Sequence, residues 1–344
     1  MKTILEEKIQ SFEIDSKSLG INYEKLIERY QEPHRYYHNL DHIIEMLDMI
    51  PFKSYDSLCA VAIIYAILYH DAIYSPISNV NEEESFALFV EEIPPYKRGS
   101  GITDKVEEMI FATIDHEYSK DSPSYVKAII KADLDRFNLP FTEFWKHNLD
   151  ILKEYGCFEY QKIKEGRIKF LNEYADKIGN IVGMQAKINC KYAAMFMETW
   201  KPSIAIYPGS FRPFHKGHLD VIEKASKIFD KVIISCGTNP DKPQGKAFIP
   251  QNVRLRFQVE QFEDDHIVDY ISRKEYPVTI IRGIRDINDL TVEMTTYRHW
   301  LDAKPDLQLV NIFCDPALSH CSSSGINKTM AFYMRKGLKH PHLI

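Results

Sequence analysis

The spacing of apolar residues changes once along this chain, near Trp200-Lys201-Pro202, and that change constrains the fold more than any other feature. Before it, the patterned segments have the period of α-helices; after it, short apolar runs alternate with helical segments. Proline disfavours helix at the preceding residue, so a helix should end near Trp200. The 344 residues suit two domains of ordinary size. We therefore predict an all-α domain over residues 1–200 and an α/β domain with a parallel sheet over residues 201–344.

The first domain is predicted to consist of helices around one buried helix. Leu40, Ile43, Ile44, Leu47 and Ile50 form one apolar stripe. The segment Leu58–Tyr69 is apolar nearly all round, as a central helix would be. Further helices are predicted over Asn81–Glu91, Asp104–His116, Ser124–Ala132, Phe141–Lys153, Tyr160–Tyr174 and Ala186–Trp200.

The dipeptide His70-Asp71 follows this central helix directly. Burying two adjacent ionisable groups is unfavourable unless something compensates them, and a divalent metal ion would do so. The alternative is a capping aspartate beside a core histidine that is hydrogen-bonded to a backbone carbonyl. His38 and His42 lie four residues apart on one face of an earlier helix.

The segments Arg35–His42, Tyr69–Tyr74, Asn81–Glu83 and Asp133–Asp135 together resemble the HD superfamily of metal-dependent phosphohydrolases, over about residues 25–140. The resemblance implies hydrolysis of a phosphorylated small molecule. It implies one metal ion bound by His38, His70, Asp71 and Asp133, with Asp135 competing for the last role. Such a ligand set suits Mn, Fe, Co, Ni or Zn. Three residues are candidates for a second metal or for acid/base work, or are ordinary helix-surface residues: His42, Glu83 and His116.

The second domain is predicted to alternate strands and helices. Such alternation indicates a parallel sheet covered on both faces, with ligands beyond the carboxyl ends of the strands. The predicted strands are Ile204–Tyr207, Lys231–Ser235, Ile267–Val268, Val278–Ile281 and Leu309–Phe313. The predicted helices are Leu219–Phe229, Asn252–Phe262, Leu290–Leu301 and Ser324–Lys336.

Three polar segments follow predicted strands. The turn Gly209–His218 opens a helix and contains the pattern His-x-Gly-His. Glycines there allow close approach of the backbone to a ligand, and a helix N-terminus aims free N–H groups at an anion. Arg282-Gly283-Ile284-Arg285 and the serines before Gly325 follow two other strands. Arginine forks and serine hydroxyls at such places suit phosphate groups.

These segments, with Tyr207–Phe211 and Lys242, resemble bacterial phosphopantetheine adenylyltransferase, of the nucleotidyltransferase superfamily with its Rossmann-like fold, over residues 203–336. The resemblance implies adenylyl transfer from ATP, with Mg²⁺, to 4′-phosphopantetheine, which gives dephospho-coenzyme A and pyrophosphate. It implies His218, Lys242 and Arg285 as catalytic residues, and Ser210, Lys242 and Arg282 as acceptor-binding residues. The residues implied in ATP binding are Gly209, Ser210, Phe211, His215, Gly217, His218, Arg285, Glu293, Ser322, Ser323 and Ser324.

Three positions depart from the family pattern. Arg212 stands where Asp is usual, His215 where Thr is usual and Trp300 where Asn is usual. A histidine at position 215 is compatible with phosphate binding. Arg212 and Trp300 leave a second hypothesis open, in which the acceptor is another phosphorylated compound and the HD-like domain is a non-catalytic module that binds a nucleotide or a metal.

The amino-acid composition limits the classes of partner that we expect for the protein. A net charge of −6 argues against broad nucleic-acid binding, which needs a basic surface. The six cysteines show no Cys-x-x-Cys pair and no regular spacing, so we expect reduced thiols. The N-terminal residues lack the apolar region of a signal peptide, and the longest apolar run is too short to span a bilayer. We therefore expect a cytoplasmic, bifunctional enzyme without nucleic-acid or membrane partners, for which a homo-oligomer remains an option.

Overall fold

The computed structural model describes residues 2–98, 101–237, 247–262 and 266–344. The chain divides into two compact units. The first unit comprises Met1–Tyr155 and Gln161–Thr199, and the second comprises Gly156–Tyr160 and Trp200–Ile344. The short segment Gly156–Tyr160 thus belongs to the second unit, although it precedes residue 200.

The described residues of the first unit form helices joined by turns, without a strand. The central helix α4 is buried from Ala62 to Tyr69, its first two residues are exposed, and it packs against α3, α5, α6 and α7. Asp56 caps it, because the Oδ1 atom accepts a hydrogen bond from the Cys59 backbone N–H at 2.8 Å. The helices are α1 Lys2–Ser11, α2 Tyr23–Tyr30, α3 Leu40–Met49, α4 Ser57–Tyr69, α5 Asn81–Glu92, α6 Ile102–Asp115, α7 Ser124–Asp133, α8 Phe141–Glu154, α9 Tyr160–Val182 and α10 Met184–Thr199.

The second unit contains a parallel sheet with strand order β3-β2-β1-β4-β5, which confirms the predicted parallel sheet. Along β1, Ala205 and Tyr207 pack into the core on one face of the sheet, and Ile204 and Ile206 pack into the core on the other. The elements are β1 Ile204–Gly209, α11 Lys216–Ala225, β2 Lys231–Cys236, α12 Gln251–Arg254, β3 Gln258–Gln261, α13 Ile267–Ser272, β4 Thr279–Ile284, α14 Ile287–Ala303, β5 Gln308–Phe313 and α15 Ser323–Arg335.

Two predictions for the middle of this unit are wrong. The helix predicted over Asn252–Phe262 is the short α12 followed by β3, and the strand predicted at Ile267–Val268 is the helix α13. Phe257 and Val259 both pack into the core, with the two-residue spacing of a strand. In α13 the buried residues have helical spacing instead: Ile267, Val268, Tyr270 and Ile271.

The strand order creates a crevice beside β1. From β1 the chain builds the sheet outward through β2 and β3, and it later returns to place β4 on the other side of β1. Ligands of open parallel sheets bind at such a reversal, beyond the carboxyl ends of the strands. Among the described residues, no helix combines the length and apolar character needed to cross a bilayer.

Candidate functional site

A cleft of about 470 Å³ lies in the second unit, at the carboxyl ends of β1 and β4. It brings together residues from segments far apart in the sequence. All of the predicted ligand-binding residues except Lys242 line it: Gly209, Ser210, Phe211, His215, Gly217, His218, Arg282, Arg285, Glu293, Ser322, Ser323 and Ser324. Lys242 lies outside the described residues.

Two stacked histidines line the cleft: His215 caps α11, and His218 lies in the first turn of that helix. The ring centroids of His215 and His218 are 3.6 Å apart, and the His215 backbone N–H donates to His218 Nδ1 at 3.3 Å. Burial, followed by the nearby Arg285, lowers the pKa of His215 to about 4, so this ring is neutral at pH 7. Gly217 permits the arrangement, because a Cβ atom there would lie 3.1 Å from the His215 ring.

Two arginines of the cleft are held by acidic side chains of α14. Arg285 binds Asp289 through two bonds, from Nε to Oδ2 at 2.7 Å and from Nη2 to Oδ1 at 2.8 Å. Arg282 Nη2 donates to Glu293 Oε1 at 2.5 Å, and Arg282 Nη1 donates to the Pro208 carbonyl at 2.9 Å. These contacts fix the guanidinium planes before any ligand arrives.

Glu293, expected among the ATP-binding residues, lines the cleft and pairs with Arg282. Its Oε2 atom and the Nε atom of Arg282 are buried without a hydrogen-bond partner within the protein. Such atoms are rare unless a ligand or water satisfies them. Asp289 is a positioning residue to which the sequence had assigned no role.

The serines stand at the N-terminus of α15. Ser322 caps the helix, because its Oγ atom accepts from the Gly325 backbone N–H at 3.1 Å. Ser323 Oγ donates to the Pro213 carbonyl at 3.1 Å and thereby ties the helix to the turn after β1. Ser324 is exposed at the cleft. This helix N-terminus therefore offers hydroxyl and backbone donors to an anion.

Of the two residues that depart from the family pattern at the acceptor side, Trp300 lines the cleft and is 9% exposed. Arg212 precedes Pro213 through a cis peptide bond, and its carbonyl accepts from Asn327 Nδ2 at 3.2 Å. Trp300 therefore replaces a small polar side chain with a large apolar one in the wall of the cleft.

The first unit holds a second cluster, at the C-terminal ends of α4 and α7. His42 Nε2 lies 2.9 Å from Asp133 Oδ1, and His70 Nε2 lies 3.9 Å from the same oxygen. Asp71 Oδ2 lies 3.0 Å from His70 Nε2. Ligand atoms of His42, His70 and Asp133 all lie within 4.8 Å of one another, so these three side chains could share a metal ion.

The hydrogen bonds around His70 suit a metal ligand. Its Nδ1 atom lies 2.9 Å from the Ile67 carbonyl, which can only accept, so Nδ1 carries the proton and Nε2 faces the carboxylates. Burial lowers the pKa of His70, but Asp71 outweighs burial and raises it to about 9. His42 Nδ1 is buried without a hydrogen-bond partner within the protein, and His70 Nε2 contacts the carboxylates of Asp71 and Asp133 without the geometry of a hydrogen bond.

His38, expected as the first metal ligand, is held outside this group of three. Its Nδ1 atom lies 2.6 Å from Glu154 Oε2, and Glu154 Oε1 accepts from the backbone N–H groups of residues 36, 37 and 38. Tyr74 also donates to Glu154, at 3.0 Å. Glu154 is fully buried and orients the His38 ring, a role that no local sequence pattern indicates.

Of the three auxiliary candidates, His42 and His116 contact Asp133, whereas Glu83 does not belong to the group of possible metal ligands. His116 Nε2 lies 2.8 Å from Asp133 Oδ2, so Asp133 is shared between His42 and His116. Glu83 is exposed. Burial, helped by repulsion from Asp71, raises the pKa of its neighbour Glu82. Burial also raises the pKa of Asp135, the competing carboxylate, which lies outside the cluster.

The second unit is a nucleotidyltransferase domain by its sheet, its His-x-Gly-His turn and the match of residues 206–302 to the cytidylyltransferase-like family. The chain is 36% identical over 138 residues to the phosphopantetheine adenylyltransferase of Clostridium novyi (strain NT), covering 38% of this chain and 84% of that protein. It is 34% identical over 141 residues to the enzyme of that name from Clostridium kluyveri, covering 38% and 83%. Through this unit the chain belongs to the phosphopantetheine adenylyltransferase family.

Proposed function

We propose that the second unit transfers an adenylyl group from ATP to 4′-phosphopantetheine, giving dephospho-coenzyme A and pyrophosphate. The observation that carries this proposal is the convergence of the histidine pair, Arg285 and the α15 N-terminus on one cleft. The family membership supports the substrates. Both substrates are anionic, and this cleft offers cationic and neutral hydrogen-bond donors from three strand ends.

The reaction needs positioning more than covalent chemistry. A phosphate oxygen of the acceptor attacks the α-phosphorus of ATP, the bond from the α-phosphorus to the bridging oxygen breaks, and that oxygen leaves as part of pyrophosphate. Mg²⁺ bound to the triphosphate would neutralise part of the charge on the leaving group. His218 stabilises the charge that grows on the transferring phosphoryl group. Arg285 and the serines of α15 hold the ATP phosphates, and Ser210 with Lys242 holds the acceptor phosphate. Asp289 keeps Arg285 in place.

A product assay tests this proposal. Purified protein with ATP, Mg²⁺ and 4′-phosphopantetheine should form pyrophosphate and dephospho-coenzyme A in equal amounts, and omission of Mg²⁺ should stop both. A panel of other phosphorylated acceptors serves as the control. Pyrophosphate formed only with one of those acceptors would keep the reaction class and overturn the acceptor.

For the first unit we propose a metal-dependent phosphohydrolase with a phosphorylated small molecule as substrate. The residues fit a divalent metal, because the cluster combines imidazole and carboxylate donors with two ring nitrogens that make no hydrogen bond within the protein. When bound, a transition metal there would polarise a phosphoryl oxygen and acidify a water molecule. Asp71 and Asp133 supply the negative charge that attracts the cation. The contact of His38 Nδ1 with Glu154 leaves Nε2 as the nitrogen with which His38 would serve as the expected first ligand.

One observation favours the second hypothesis, a non-catalytic binding module. Both oxygens of Asp133 already accept hydrogen bonds, from His42 and His116, so the protein itself satisfies this carboxylate when no substrate is bound. Elemental analysis followed by a panel of phosphomonoesters separates the two. A metal-loaded protein that hydrolyses none of them would exclude the phosphohydrolase on that panel and retain the binding module.

A further inference from the structure

A second group of metal-ligating side chains lies in the second unit, apart from the residues assigned above to ATP or to the acceptor. His320 and Cys321 stand in the turn before α15, and His342 lies in the segment that follows α15. The two Nε2 atoms of His320 and His342 are 3.0 Å apart, and Cys321 Sγ is 3.9 Å from His320 Nε2. One ligand atom from each of the three lies within 4.8 Å of the others.

Backbone contacts hold His342 in place. Its carbonyl accepts from the Lys216 N–H at 2.9 Å, and Leu343 forms a β-bridge with His215. The His342 N–H donates to His340 Nδ1 at 3.3 Å, and His340 Nε2 lies 3.0 Å from Thr329 Oγ1. The segment is thus fixed to the start of α11 and to α15 by interactions that leave the His342 ring aimed at His320.

The distances match the edges of a tetrahedral zinc site. With Zn–N near 2.05 Å and Zn–S near 2.3 Å, tetrahedral angles place two nitrogens about 3.3 Å apart and a nitrogen and a sulfur about 3.6 Å apart. The observed nitrogen–nitrogen separation of 3.0 Å and nitrogen–sulfur separation of 3.9 Å each differ from the tetrahedral value by only about 0.3 Å, which small side-chain rotations can supply. Two imidazoles and a thiolate suit a borderline-soft cation, and Mg²⁺ prefers oxygen ligands.

We propose that His320, Cys321 and His342 bind Zn²⁺ with one coordination position left open. On binding, the Cys321 thiol proton goes to solvent, and the hydrogen bond between the two imidazoles is replaced by two metal–nitrogen bonds. Cys321 lines the cleft and immediately precedes Ser322, the cap of α15. The ion therefore ties the turn that carries the phosphate-facing serines to the segment 338–344.

Cobalt is the probe, because Co²⁺ occupies zinc sites and gives a near-ultraviolet charge-transfer band only when a thiolate is a ligand. The cluster of the first unit contains no cysteine, so it cannot produce this band. Full-length protein titrated with Co²⁺ should show the band with saturation near one equivalent of thiolate-bound metal. One further equivalent of Zn²⁺ should remove it.

Matched variants locate the ligands. Cys321→Ser should abolish the band, whereas Cys157→Ser, at a half-buried thiol of the same unit, should leave it unchanged. His320→Ala and His342→Ala should each weaken Co²⁺ binding, and His299→Ala, at an exposed histidine, should not. Absence of the band in the wild-type protein, or an unchanged band in Cys321→Ser, would overturn the proposal.

Discussion

His218 is the residue whose removal should affect the proposed reaction without affecting the fold. Its ring stacks on His215 and packs near Phe211 and Phe214, with ring centroids 5.0 and 5.4 Å away. These contacts orient the ring toward the cleft. Removal of one preorganised donor to a transition state lowers turnover by roughly 10² to 10³. We predict that His218→Ala lowers kcat for adenylyl transfer by about a hundredfold or more and leaves the fold intact.

Steady-state pyrophosphate release measures this effect, and urea unfolding shows that the fold survives. The control is His299→Ala on α14, which should retain the wild-type rate. Full kcat in the His218→Ala protein would exclude His218 from the reaction.

His215 makes the stability of the second unit depend on pH. Its folded-state pKa of about 4 lies below the value of about 6.5 for a free histidine. Between these values the unfolded chain binds more protons, so the free energy of unfolding rises with pH and this contribution is complete above about 6.5. We predict that His215→Asn reduces the loss of stability between pH 7 and pH 5 by about 2 kcal/mol, measured by urea unfolding at both pH values. An equal loss in both proteins would mean that His215 titrates normally.

Site residues that lie in one continuous motif could be predicted from the sequence. Residues whose role depends on a contact with a distant part of the chain could not. The turn Gly209–His218 is continuous, so its position in the cleft could be predicted. Glu154 contacts the backbone of residue 36 across 118 positions, and only the tertiary fold reveals that it orients His38. Asp289 is four residues from Arg285, but its spacing resembles that of any helical ion pair.

At the scale of elements, β4 and α11 approach each other so closely that Gly283 cannot carry a side chain. A Cβ atom there would lie 2.7 Å from Val221 Cγ2 and 3.3 Å from Tyr207 Oη. Overpacking of this kind costs about 1–3 kcal/mol. We predict that Gly283→Ala destabilises the second unit by this amount, measured by denaturant unfolding.

Gly166 provides the matched comparison in an exposed position of α9, where a Cβ atom meets nothing within 4 Å. Gly166→Ala should stabilise the first unit by about 0.5–1 kcal/mol, because alanine restricts the unfolded chain. A Gly283→Ala protein as stable as the wild type would show that β4 and α11 can separate without loss.

Helices and strands could be predicted wherever the apolar residues follow a single spacing, either helical or strand-like. The central helix α4 and the strands β1, β2, β4 and β5 follow from apolar runs, which the core buries largely in α4, β1 and β2 and only in part in β4 and β5. The region of α12, β3 and α13 was not predictable, because the segment Arg254–Gln261 contains apolar and charged residues at spacings compatible with either a helix or a strand. Pairing of β3 with β2 decides the outcome, and this pairing is a long-range contact.

At the scale of the whole molecule, the two proposed activities should be separable. Asp71→Asn keeps the size of the side chain and removes a charge 3.0 Å from His70 Nε2. We predict that this variant loses most of its bound transition metal and its phosphomonoester hydrolysis, and keeps the adenylyl-transfer rate within about twofold. Elemental analysis of wild type and variant is the measurement. Equal metal content in both would show that Asp71 does not attract the ion.

The central claim is that the cleft at the carboxyl ends of β1 and β4 selects 4′-phosphopantetheine as acceptor, although Arg212 and Trp300 depart from the family pattern. The most direct measurement is a competition in one mixture. Purified protein, ATP and Mg²⁺ are incubated with equal concentrations of 4′-phosphopantetheine and nicotinamide mononucleotide, and both adenylylated products are quantified by mass spectrometry. We predict that dephospho-coenzyme A exceeds the dinucleotide by at least about a hundredfold, a difference of about 3 kcal/mol in transition-state binding. A mixture dominated by the dinucleotide would contradict the assignment.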